Sequence, residues 1–80
     1  MILAAEINKY ATLDRYDLAN ILARSGYSGI GFESAKFLGV TNAGDFCYAV
    51  QYFDDSGTGE VEVAKVYISK SATGDMLAEF

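Results

Sequence analysis

Apolar residues recur along this chain with two different periods, and the change of period divides it. Leu3, Ile7 and Tyr10 fall at helical spacing, whereas a strand over the same residues would mix Glu6 and Asn8 with Ile2 and Ala4 on one face. A helix is therefore favoured over residues 1–10, with a strand as the alternative. The next start is marked more sharply. Asp14 stands where an N-cap belongs, Asp17 follows three residues later, and Leu13 and Leu18 occupy the flanking positions of a hydrophobic staple. Leu18, Ile21 and Leu22 form the apolar stripe of this second helix, expected over residues 15–25, and Ser25-Gly26 closes it.

Beyond Ser34 the period falls to two and turn clusters recur at 42–45, 54–59 and 71–75. Between them, residues 46–53 and 61–68 are dense in β-branched and aromatic side chains, as a pleated and partly buried surface prefers. Residues 35–41 and 76–80 are shorter strand candidates. The expected fold is α+β: N-terminal helices packed on a three- to four-stranded antiparallel meander, a single domain over 1–80. On the second strand Phe46, Tyr48, Val50 and Tyr52 share one face, with Cys47, Ala49, Gln51 and Phe53 on the other. The small residues of that second face suit a helix laid against it. On the third strand Val61 and Val63 lie opposite Val66 and Ile68, so either a bulge intervenes near Ala64-Lys65 or both faces are partly covered.

Composition narrows the function. Of 80 residues 51% are hydrophobic, enough apolar surface to offset the entropy of ordering, so the chain is not a disordered one. A domain this small leaves little protein for a deep cleft, which turns attention to its surface. No His is present, removing the usual zinc sites and His-based triads, and one Cys permits no internal disulfide. The opening apolar run, residues 1–5, lacks the basic lead and length of a signal peptide, and no stretch is long enough to span a bilayer. Together with a lone Cys47, expected in the core, this points to the cytoplasm.

The net charge of −5 is concentrated. Asp45, Asp54, Asp55, Glu60 and Glu62 lie in a segment without Lys or Arg from Phe37 to Ala64, while the remaining six acids are matched by six bases. Residues two apart on a strand point the same way, so Glu60 and Glu62 are expected in a row beside Asp54 and Asp55. Such a surface repels nucleic acid and attracts a basic protein. Tyr48 and Tyr52, or Tyr67, are candidate amphipathic anchors within it, the alternative for each being core packing. Other chemistry lacks its context. The glycines of 26–31 follow a helix instead of leading into one, as a phosphate loop requires. The run 54–60 offers oxygen ligands but neither the acid spacing nor the terminal Glu of a calcium loop. Paired turn carboxylates share one solvated environment, with nothing to separate their pKa values for acid-base work. No cofactor and no catalytic residue is assigned.

Two resemblances follow from these features. From Asp14 to Phe80, the order helix, strand, strand, Asp-Ser-Gly turn, strand, ending in the stretch Val66-Tyr67-Ile68-Ser69-Lys70-Ser71-Ala72-Thr73-Gly74-Asp75-Met76-Leu77, resembles a PepSY-type domain. That resemblance implies a small α+β module, a helix over an antiparallel sheet, with an inhibitory or protein-binding role. In size, acidity and lack of His the chain also resembles phage-encoded anti-CRISPR proteins. This second resemblance implies a non-catalytic inhibitor covering the basic nucleic-acid surface of a partner, such as a CRISPR effector subunit, and it transfers no residue. The alternative is an assembly module that forms a homodimer through a sheet edge or an aromatic face.

Overall fold

The computed structural model describes residues 4–53, 59–70 and 75–80. Two helices, α1 (Ala4–Ala11) and α2 (Arg15–Arg24), precede four strands, β1 (Ser34–Val40), β2 (Phe46–Phe53), β3 (Val61–Lys70) and β4 (Met76–Glu79). The strands form one antiparallel sheet in the order β1-β2-β3-β4, the meander expected of short connections. Of the expected first helix, the part from Ala4 is helical, with Ile7 and Tyr10 turned toward the core, and Leu3 lies outside the described residues.

The start of α2 follows its sequence signal. Asp14 Oδ1 accepts the N–H groups of Tyr16 and Asp17, both at 2.9 Å, and Asp17 Oδ2 accepts the Asp14 N–H at 3.0 Å. This reciprocal capping box satisfies donors that the first turn leaves without a helical partner. At the other end Gly26 takes a φ of +100°, open to glycine, and the Tyr27 N–H returns to the Leu22 carbonyl at 2.8 Å. Ser25 Oγ donates to the Ile21 carbonyl and accepts the Ala78 N–H at 3.0 Å, tying α2 to β4.

Both helices contribute to one core on one face of the sheet. Tyr10, Leu18, Ile21 and Leu22 pack with Phe46, Tyr48, Val50, Val66, Ile68 and Ala78. The helices therefore cover the face of Phe46, Tyr48 and Val50, and not the small-residue face of Cys47 and Ala49. The larger side chains bury more apolar area, so they win the contact. Cys47 is buried, as expected, yet it lies on the opposite face and outside this core.

The pairing of β2 with β3 runs without a shift from Phe46↔Ile68 to Phe53↔Val61. No bulge occurs near Ala64-Lys65. Val66 and Ile68 face the helices, while Val61 and Val63 stand on the other face, exposed. The irregularity lies instead in β1, between Phe37 and Gly39, where Gly39 has a φ of +134° and pairs with Cys47.

Candidate functional site

Burial along the β2–β3 ribbon divides it into two parts. The half at Phe46–Val50 and Val66–Ile68 is roofed by helices, whereas Gln51 and Phe53 on β2 and Val61–Val63 on β3 are exposed. The molecule is correspondingly long, 43 × 22 × 19 Å. On the helix side of the open half, Tyr52 is half-buried against the edge of Phe80, 5.5 Å away, and Glu62 is its exposed cross-strand neighbour. On the other side Phe53, Val61 and Val63 retain 52%, 48% and 69% of their accessibility. Covering apolar surface contributes about 25 cal/mol per Å². These three side chains therefore hold binding energy that the monomer leaves unused.

The acids do not all meet here. Glu60, just before β3, and Glu62 stand at the open end. Asp54 and Asp55 lie outside the described residues. Asp45 precedes Phe46 at the opposite end of β2. Seven residues separate it from Tyr52, the partner of Glu62, or about 23 Å at the rise of a strand. It lines a depression of about 190 Å³ with Tyr67, Ser69, Leu77 and Glu79. Closeness along the chain thus overstated the patch.

Tyr48 is not an anchor. It is fully buried at the centre of β2, and its hydroxyl donates to the Tyr10 carbonyl at 2.7 Å. Burial, reinforced by the neighbouring Tyr10 phenol, raises its pKa above the ordinary phenol value. Beside it Phe46 stacks on Tyr10 at 3.7 Å. Of the tyrosine candidates, Tyr52 and Tyr67 keep part of their surface in solvent.

Sequence reasoning missed the outer sheet face as a surface. Lys36, Ala49 and Lys65 are paired across three strands on this face, so two lysines flank a small floor. Above it lies a depression of about 280 Å³ lined by Ser34, Lys36, Ala49, Gln51 and Val63. The signal was present in the opposed faces of Val61-Val63 and Val66-Ile68, which require one valine pair to sit away from the helices.

Among the described residues no group of three or more Cys, Asp and Glu side chains is arranged to hold a metal ion, and no helix is long and apolar enough to cross a membrane. No family model, curated protein or solved structure matches this chain.

Proposed function

We propose that the protein is a non-catalytic binding module that docks the open end of its β2–β3 ribbon, through Glu60 and Glu62, against a Lys/Arg-rich protein surface. The observation that carries this reading is the open end of the ribbon itself, which bears exposed Glu62 on its helix side and the exposed apolar Phe53, Val61 and Val63 on its other side, with Glu60 at its tip. Interfaces combine these features: an apolar centre supplies affinity, while charges at the rim speed encounter and select the partner. Where the basic surface normally holds nucleic acid, docking excludes it, and the protein acts as an inhibitor. A CRISPR effector subunit is the partner that the anti-CRISPR resemblance names, and we take the compartment to be the cytoplasm, where a lone thiol stays reduced.

The test is capture from native host lysate by the immobilised protein, followed by elution with duplex DNA and with salt. A basic nucleic-acid-binding protein that DNA displaces, and whose affinity falls at least about tenfold in the Glu60→Lys/Glu62→Lys variant, is the expected result. Retention by the double variant with unchanged affinity and salt slope overturns the reading.

A further inference from the structure

Charge and apolarity follow a fixed order along the outer sheet face. At one end stand Asp45 and, opposite Tyr67, Glu79. In the next row on this face exposed Lys36 and Lys65 flank the half-buried Ala49. Beyond them come Gln51 with Val63 and then Phe53 with Val61, all exposed. Lys36 and Lys65 are two inter-strand spacings apart, about 10 Å, with only a methyl group between them. Among the described residues neither lysine belongs to an ion pair. The depression above Ala49, about 280 Å³, therefore has a cationic rim and an apolar wall at Val63, and no carboxylate lines it. Ser34 Oγ donates to Gln51 Oε1 at 2.8 Å, which fixes the amide and keeps its two N–H donors available.

We infer that this depression binds a small organic anion with an apolar body, its charged group over Ala49 between Lys36 and Lys65 and its body against Val63. An anion between the two lysines offsets their mutual repulsion, and covering Val63 removes apolar surface from water. Asp45 and Glu79 repel the charged group from their end of the face, so the body turns toward the apolar end. The volume falls just below the 300 Å³ or so at which pockets for drug-sized ligands begin, which limits the body to one or two rings. Phosphate alone meets the lysines and leaves Val63 in water, while a neutral ring covers Val63 and leaves the lysines unpaired. Only a ligand with both parts uses the whole lining. Because the lysines are exposed, the attraction is screened, and binding is weak and sensitive to salt.

The site is tested on the purified chain without any protein partner, so its failure leaves the docking of the open end untouched. With naphthoate as the probe, an amide chemical-shift titration should saturate below about 5 mM, with the changes centred on Lys36, Ala49, Gln51 and Val63 and with Ser69 still. Lys36→Glu combined with Lys65→Glu, both at exposed positions, should weaken binding at least about tenfold, whereas Lys9→Glu, on α1, should leave it unchanged. Neutral naphthamide and inorganic phosphate should each bind at least about fivefold more weakly than naphthoate, and salt raised from about 20 to 300 mM should weaken naphthoate about threefold. Ala49→Phe, which fills the depression, should abolish binding. Circular dichroism confirms that each variant is folded, and the lysine variant keeps the test decisive if Ala49→Phe is not. The proposal is overturned by a titration without saturation, by changes centred elsewhere, by naphthamide or phosphate binding as tightly as naphthoate, or by a lysine variant of unchanged affinity.

Discussion

The two halves of the β2–β3 ribbon are continuous in hydrogen bonding and opposite in environment. At Tyr48 and Val66 the inner face is sealed beneath α1 and α2, while Phe53 and Val63, a few residues along the same strands, stand exposed on the outer face that the helices do not cover. The sealed half spends its apolar residues on folding. The open half, equally rich in them, contributes little to the core and is left to bind. A continuous ladder thus ties the open end to the sealed one, which lowers the entropy lost when a partner arrives.

The strongest way to break this comparison is to substitute one apolar residue under the helical layer and one on the open face. Leu18→Ala, beneath the helical layer, should cost about 2–5 kcal/mol in urea unfolding, whereas Val63→Thr should change stability by no more than about 0.5 kcal/mol. Equal losses would show that the open half supports the fold after all.

A smaller effect sharpens the picture of the sealed half. Tyr48→Phe should cost about 1 kcal/mol, the net worth of a buried hydrogen bond. The Tyr10 carbonyl still receives the Leu13 N–H at 3.2 Å, so it is not abandoned. The variant should also differ in alkali. Because burial in the folded state raises the Tyr48 pKa above the ordinary phenol value of about 10, its contribution is complete below pH 10 and declines as pH rises above it. Chemical unfolding of wild type between pH 9 and 11 should lose stability more steeply than Tyr48→Phe.

The smallest effect concerns the exposed pair of Lys70 and Glu6, 3.4 Å apart, which joins β3 to α1. Lys70→Ala should change the unfolding free energy by no more than about 0.5 kcal/mol, since solvent screens such a pair. A larger loss would mean that the helical layer is held by charge as well as by packing.

Much of this was legible in the residues. The Asp14-Asp17 box and the glycine after α2 act within three or four positions, so neighbours alone dictate them. The strands were legible because alternation and turn clusters are equally local. The valine pattern of β3 was harder: it told that two faces existed, not that one would be bare. Tyr48, a tyrosine on a strand, suits a surface or a core role equally, and only the Tyr10 carbonyl, 38 residues away, resolves it. Asp45 and Glu62 share one acidic stretch of the chain, and the length of β2 carries them apart.

From the order of residues alone come the bounds of α2, the antiparallel meander and the crowding of acids into one stretch; whether the first ten residues were helix or strand stayed open. Folding chose which face of the sheet the helices would cover, put the bulge at Gly39, and divided the acids between two ends. The reason is one of range. Caps, turns and alternation are settled between neighbours, whereas the covered face is settled by competition among side chains from distant segments for the same buried space.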